Sequence, residues 1–335
     1  MEKKPTIYDI AKALNVTTST VSRALKNSSL ISEETRERVW EYAKKINYRP
    51  NKLASSLSSG KSNIVGIIIP SALIQFFSAV INSLEQELQQ EGYNVLLYQT
   101  NESYNSEVNG IKTLLEAQVD GIIISPSLET YDFSHINKAH QEGIPVIQFD
   151  RIDDRLNLPS VSIDDEKAGY MVTKHLIDSG NERIGYISTN SEVQIFRQRF
   201  EGYKRALSEA GYLYRESLVL LDEMSIKGGM YGARKMMESK HKPDAFIGGD
   251  DFTALGIIKE LSKMNIVPPQ ISVVGFANQT FSEFITPSLS TIDQQAVNMG
   301  KECAKLFLKI SKKKGGSNKH EKIVLDPILI ERESS

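Results

Sequence analysis

The chain has 335 residues, 40% of them hydrophobic and 24% charged. This is the balance of a soluble globular protein of more than one domain, and it excludes disorder, a fibrous repeat or a coiled coil as the main architecture. No apolar run approaches the roughly 20 residues needed to cross a bilayer. The charged start Met1-Glu2-Lys3-Lys4-Pro5 leads into no apolar segment, and the single Cys303 cannot form an internal disulfide. A cytoplasmic protein without membrane contact is therefore expected. The net charge of −2 is unevenly spread: residues 1–61 carry twelve Lys and Arg against six Asp and Glu, leaving the rest at −8. A basic head on an acidic body is the asymmetry expected when only the head meets a polyanion.

The head reads as short helices. Ile7, Ile10, Ala11 and Leu14 form one apolar stripe, with Thr6 placed to cap it. Asn15-Val16-Thr17 interrupts the pattern, and Thr17 caps a second helix from Thr18 to about Lys26. Val21, Ala24 and Leu25 form its buried side, and Ser19, Ser22, Arg23 and Lys26 the polar one. Ser32 opens a third helix with the stripe Val39, Tyr42, Ala43 and Ile46, which Pro50 is expected to end. Two helices joined by a tight turn, the second polar on its outer face, make a helix-turn-helix whose second helix can enter the major groove of double-stranded DNA. Arg23 can then give two parallel hydrogen bonds to a guanine. A three-helix bundle without DNA has the same spacing.

The stretches Thr6-Ile7-Tyr8-Asp9-Ile10-Ala11, Thr20-Val21-Ser22-Arg23-Ala24-Leu25 and Asn47-Tyr48-Arg49-Pro50-Asn51-Lys52-Leu53-Ala54-Ser55-Ser56-Leu57 decide between them. They resemble the lactose/galactose repressor family of bacterial transcriptional regulators, a likeness that extends to Leu329-Ile330-Glu331-Arg332. The resemblance implies that Thr18, Ser19 and Arg23 read bases, with Thr6, Thr20 and Ser22 beside them at the DNA. It implies too that Asn51, Leu53 and Ala54 belong to a hinge helix that pairs with a second subunit's in the minor groove, where Leu57 wedges between base pairs. Eight or so residues are too few for a stable isolated helix, so the hinge is expected to fold on DNA.

From Ser62 onward short apolar runs alternate with amphipathic stretches. Strands are expected at Ile64–Ile69, Asn94–Tyr98, Gly121–Ile124, Val146–Phe149, Ile184–Ile187, Ala245–Ile247 and Ile271–Val274. Helices are expected at Phe77–Glu91, Glu107–Ala117 and Tyr170–Ser179. The pattern implies parallel sheets covered on both faces. A small all-α head and an α/β body of two Rossmann-like lobes follow, which the resemblance likens to periplasmic sugar-binding proteins. The domains are then a head at 1–50, a hinge at 51–61 and a body at 62–335. Lobe one takes about 62–161 and 292–323, lobe two about 162–291 and 324–335.

Ligands in such sheets lie at the carboxyl ends of the strands, which here carry Ser71, Gln99, Ser125, Asp150, Asp250 and Asn278. The resemblance points to Asp150, Arg199 and Asp250, to Phe76 and Phe77 as apolar walls, and to Asn278. Carboxylates, an arginine and an aromatic face suit a polyhydroxylated ring such as a sugar. After Val274-Gly275-Phe276 many family members place an aspartate, whereas this chain has Ala277-Asn278, without the bidentate carboxylate. An enzyme is not expected. Pro70-Ser71-Ala72-Leu73 is no G-x-G-x-x-G turn, Gly228-Gly229-Met230-Tyr231-Gly232 reads as a loop entering a helix, and the histidines are not spaced for a metal. Lys312-Lys313-Lys314-Gly315-Gly316 reads as a surface loop. The expected function is a homodimeric, sequence-specific DNA-binding regulator, a repressor controlled by a small effector, needing no cofactor. The alternatives are an effector that is a purine or a protein partner, or a small-molecule binding protein whose head is incidental.

Overall fold

A computed structural model describes residues 5–48, 61–191, 193–312 and 321–335. The chain divides into two compact units, one ending at Ser62 and one running from Asn63 to Ser335. In the smaller, helices α1 (Ile7–Leu14), α2 (Thr18–Leu25) and α3 (Glu33–Lys45) enclose a core of Ile10, Ala11, Val21, Ala24, Val39 and Ala43. Local chemistry sets each boundary. The Asp9 carboxylate accepts both the backbone N–H and the hydroxyl of Thr6, each at 2.7 Å. Asn15 ends α1 at φ 54°, a left-handed conformation that asparagine tolerates. Thr17 then caps α2 by accepting the Thr20 N–H at 3.1 Å. Helix α3 stops at Lys45, earlier than Pro50 would require. Asn47 at φ 52° turns the chain first, and the Tyr48 N–H reaches back to the Ala43 carbonyl at 2.8 Å. Pro50, Asn51, Leu53, Ala54 and Leu57 lie outside the described residues.

The larger unit holds two six-stranded sheets. The first contains β1 (Ile64–Ile69), β2 (Asn94–Gln99), β3 (Gly121–Ile124), β4 (Val146–Phe149), β5 (Ser160–Ile163) and β11 (Lys322–Leu325). The second contains β6 (Ile184–Thr189), β7 (Val219–Asp222), β8 (Ala245–Gly248), β9 (Ser272–Phe276), β10 (Ser290–Asp293) and β12 (Ile328–Ile330). Their orders are β11-β5-β4-β3-β1-β2 and β12-β10-β9-β8-β6-β7. Every pairing is parallel except β10 with β12. The chain changes sheet three times, after β5, after β10 and between β11 and β12. Helices α4 (Gln75–Gln90), α5 (Tyr104–Glu116), α6 (Ser134–Gln141) and α12 (Ala296–Lys312) cover the first sheet. Helices α7 (Asp165–Asp178), α8 (Gln194–Glu209), α9 (Ile226–Met237) and α10 (Asp251–Lys263) cover the second, and α11 (Phe281–Phe284) follows β9.

Two differences from the sequence reading have a packing cause. Strand β7 was not foreseen: it is an edge strand with Leu221 and Asp222 exposed, too short and too open for a buried-run signature. Gly228, Gly229 and Gly232 lie inside α9 and not in a loop. The missing side chain at Gly229 lets α9 meet the Thr253 carbonyl of α10, and that contact overrides the poor helix propensity of glycine. The same device joins α7 and α8. A methyl group at Gly202 would collide with the backbone of Glu166 and Tyr170, and one at Gly169 with the carbonyl of Arg199.

Gly202→Ala is therefore expected to force α7 and α8 apart and destabilise the larger unit by about 3 kcal/mol, at the upper end of overpacking costs. Gly211→Ala, where a side chain meets nothing but φ is +75°, is the comparison for backbone strain alone. Urea denaturation of the two variants checks the ranking.

Candidate functional site

Helix α2 presents Ser19 and Arg23 to solvent, one helical turn apart, with half-buried Thr18 and Ser22 beside them. The Thr20 hydroxyl lies 2.9 Å from that of Thr17, inside the α2 cap, and the Thr6 hydroxyl is held by Asp9. Tyr8 on α1 is 73% exposed and is a candidate contact that the sequence reading passed over. It stands off the Ile7–Ile10–Ala11–Leu14 stripe, and that is the signal that could have marked it.

In the larger unit a cleft of about 100 Å³ draws its walls from both sheets. Phe76 and Phe77 at the start of α4, with Asp150 and Arg151 after β4, come from the first lobe. Arg199 on α8, Asp250 before α10, Phe252 and Phe276 come from the second. Phe76 and Phe77 meet edge to face at 5.2 Å. The Arg199 guanidinium lies 4.6 Å from the centre of the Phe276 ring and donates from Nε to Asp165 Oδ1 at 2.8 Å. Its Nη2 is buried without a hydrogen-bond partner among the described residues, which leaves a strong donor group for a ligand. Arg151 faces the other way, its guanidinium donating to both oxygens of Glu102 at 2.7 and 2.9 Å.

The carboxylates differ in what holds them. Asp150 sits at φ 58° and is buried, accepting only a long bond of 3.4 Å from Gln294 Nε2. Burial pushes its carboxyl above the usual range, against the pull of Arg151 and Arg199. Burial likewise pushes Asp165 up to about 7 despite its bond to Arg199. Asp250 caps α10, its Oδ1 accepting the Thr253 N–H at 2.7 Å. Asn278 is not drawn into the cleft lining: its amide donates to Asp293 at 3.2 Å and accepts from Arg332 at 2.8 Å. Gln279 and Gln294, which the sequence reading did not name, line the cleft instead. A contact bridges the lobes as well, where the Gln75 side chain accepts the Thr280 N–H at 2.8 Å and donates to its hydroxyl.

Consecutive left-handed residues, Ala277 at φ 97° and Asn278 at φ 45°, shape this wall. Such a conformation costs alanine about 1–3 kcal/mol and needs a firm surround. Buried Asp251 supplies it: Oδ2 accepts from the Gln279 N–H at 2.7 Å and the Ser282 hydroxyl at 2.8 Å, while Oδ1 accepts from Thr291 at 2.6 Å. Elsewhere, His135 bonds buried Glu107 at 2.8 Å, and among the described residues no group of His, Cys, Asp and Glu could hold a metal. Among those residues no helix is long and apolar enough to cross a membrane.

A helix-turn-helix head on a body of two α/β lobes that share a polar cleft defines a class of DNA-binding regulators. The profile of bacterial regulatory proteins of the lacI family matches residues 6–51, and that of periplasmic binding proteins and the sugar binding domain of the LacI family matches residues 62–330. The chain belongs to the LacI family of bacterial transcriptional regulators. It is 31% identical to catabolite control protein A of Priestia megaterium over 310 residues, 92% of this chain and 93% of that protein. It is 30% identical to the NTD biosynthesis operon regulator NtdR of Bacillus subtilis, covering 99% of this chain and 100% of that one. Among solved structures, a transcriptional regulator in a CelR–cellobiose complex superposes with a TM-score of 0.73 at 25% identity, covering 99% of this chain and 100% of that chain. A lac repressor dimer bound to operator and anti-inducer shares the fold with a TM-score of 0.87 at 23% identity, covering 99% of each chain.

Asp251, pushed up to about 7 by burial, yields a pH prediction. Its folded-state pKa lies above that of the unfolded chain, so the stability it contributes is greatest in acid and is lost as pH rises toward and through 7. Asp251→Asn keeps an acceptor for Gln279 and Ser282 and offers its amide to the Thr291 hydroxyl. Relative to wild type its stability is expected to climb between pH 5 and 8, whereas Asp251→Ala, which strands buried donors, loses about 2–3 kcal/mol throughout. Thermal unfolding across that pH range tests both.

Proposed function

We propose that the chain is a homodimeric repressor that binds a near-palindromic operator and is released or recruited by a small polyhydroxylated effector held in the interlobe cleft. The observation that carries the reading is the convergence of Phe76, Phe77 and Asp150 from one lobe with Arg199 and Asp250 from the other. Aromatic faces with a few placed charged groups are what a small-molecule site uses to fix a polar ring. On the DNA side, Arg23 is the base reader, with Thr18, Ser19 and Ser22 beside it, and the expected hinge at Asn51, Leu53, Ala54 and Leu57 is the minor-groove element. One head buries too little surface for tight specific binding, so two are needed.

Exposed apolar side chains support pairing of subunits. The edge strands β2 and β7 end their respective sheets, and Leu96, Leu97 and Leu221 stand exposed on them. Leu73, before α4, is 92% exposed as well. Open apolar edges of this kind are covered in stable proteins. A second subunit on that side would couple lobe geometry to the spacing of two heads. An effector acts on such a pair only through a difference in its affinity for the two lobe arrangements. A cytoplasmic setting follows from the partner, since chromosomal DNA is there.

Footprinting of the purified protein on genomic fragments, with and without a panel of sugars, tests the reading. A footprint over a palindrome that one sugar alters is the expected result; the absence of any specific footprint overturns the regulator. Arg23→Ala is expected to weaken operator binding by about 1–3 kcal/mol while barely changing affinity for random DNA. Arg199→Ala is expected to abolish the effector response and, because it strands Asp165, to cost about 3–5 kcal/mol of stability; with operator binding by the variant showing that it is folded, a retained response removes Arg199 from the site.

A further inference from the structure

Two glutamines tie the lobes together beside the cleft, and they occupy matching places in the two halves of the body. Helix α4 follows β1 and opens with Gln75, then Phe76 and Phe77. Helix α8 follows β6 and opens with Gln194, then Ile195 and Phe196. In each helix the two apolar residues after the glutamine line the cleft. Strands β1 and β6 hold the same position in their sheets, second from the edge. Each glutamine reaches across to the other lobe. The Gln75 side chain accepts the Thr280 N–H at 2.8 Å and donates to the Thr280 hydroxyl. Gln194 Nε2 donates to Asp154 Oδ2 at 2.9 Å.

The anchors on the far side are firm. Thr280 follows the turn that Asp251 pins through the Gln279 N–H, and Asp154 is held by the Lys322 ammonium as well. The ties themselves are open to water: Gln75, Thr280 and Asp154 are exposed and Gln194 is half-buried. Breaking them strands no buried group, so each is exchanged for a bond to water at little net cost. The cleft between the walls measures about 100 Å³, whereas a site that takes a small-molecule ligand spans about 300–1,000 Å³. A sugar ring therefore enters only if the lobes part. Each tie stands on the same first helical turn as a pair of wall residues, so whatever parts the walls carries the glutamines with them.

We propose that Gln75 and Gln194 are latches that hold the lobes together in the effector-free protein, and that the effector competes with them by parting the walls. The inference rests on the cleft being the effector site. It fixes a sign by linkage: a protein that must open before it binds has an apparent affinity reduced by the fraction already open. Weakening a latch therefore strengthens effector binding. Latches that closed over a bound ligand would do the opposite.

Spin labels at Glu85→Cys on α4 and Ser262→Cys on α10, one exposed position in each lobe, report the lobe separation in the full-length protein, with buried Cys303 left in place. Dilution with unlabelled chain suppresses distances between subunits. With no sugar present, Gln75→Ala combined with Gln194→Ala is expected to move the distance distribution to longer values; an unchanged distribution overturns the latches. Gln75→Glu keeps acceptors for the Thr280 N–H and hydroxyl and is expected to stay at the wild-type distance. A shift as large as that of Gln75→Ala would mean that the bonds to Thr280 do not hold the lobes, and it overturns the latch at Gln75. Calorimetry with glucose, galactose and ribose gives the second reading. A sugar that binds the wild type is expected to bind the double variant about tenfold more tightly, whereas an unchanged or weakened affinity overturns the proposal. If the double variant opens and none of the three sugars binds either protein, the latches stand and the sugar reading of the cleft falls. If a sugar binds the wild type and the double variant neither opens nor gains affinity, the cleft stands and the latches alone fall.

Discussion

The buried pair of Arg199 and Asp165 is the constraint around which the body is arranged. The charge of an arginine only 3% exposed must be neutralised within the fold, and removing one partner of such a pair costs about 3–5 kcal/mol because the other is stranded. The pair forms only because α7 and α8 touch at Gly169 and Gly202, one turn from Asp165 and Arg199 respectively. The guanidinium then lies over the ring of Phe276 at the end of β9. What is left over is a buried amino group, Nη2, with no partner among the described residues, on a side chain that lines the cleft. Helix packing in one lobe thus places a charge-bearing donor on the surface shared with the other.

The cleft is shaped by backbone that the rest of the structure must hold in place. Asp150, Ala277 and Asn278 all adopt left-handed conformations where strands end, two of them adjacent. Asp251 pins the second of these turns from below, and Gln75 ties it to the opposite lobe through Thr280. A single polar tie of this kind is readily exchanged, so a ligand that adds contacts across the cleft can shift the balance between lobe arrangements. The head contributes a different chemistry, a helix with a serine and an arginine facing solvent. A regulator needs both, and the chain supplies them from units with separate cores.

Strands β1, β3 and β4 coincide with the runs Ile64–Ile69, Gly121–Ile124 and Val146–Phe149, because a central parallel strand is buried on both faces and its sequence is almost wholly apolar, Gln148 in β4 being the polar exception. The head helices are likewise bounded by Thr6, Thr17 and Ser32, residues whose capping chemistry is local. Where long-range packing intervenes, legibility fails. Edge strand β7 has no buried run, and the glycines of α9 look like a loop until α10 is set against them. Of the site residues, Phe76, Phe77, Asp150, Arg199 and Asp250 meet in one cleft, whereas Asn278 is tied to Arg332, a partner 54 positions away that no local pattern reveals.

The sequence by itself determined the family and the division into a helical head and an α/β body, because these are written in contiguous motifs, periodicities and cap residues. The tertiary structure alone decided which polar side chains remain open to a ligand. Asp250 is half used by a helix cap, Arg151 gives both Nη atoms to Glu102 and is left with a buried Nε, and Arg199 is left with a buried Nη2. Availability depends on which partners long-range packing brings within about 3 Å, and spacing along the chain does not carry that distance.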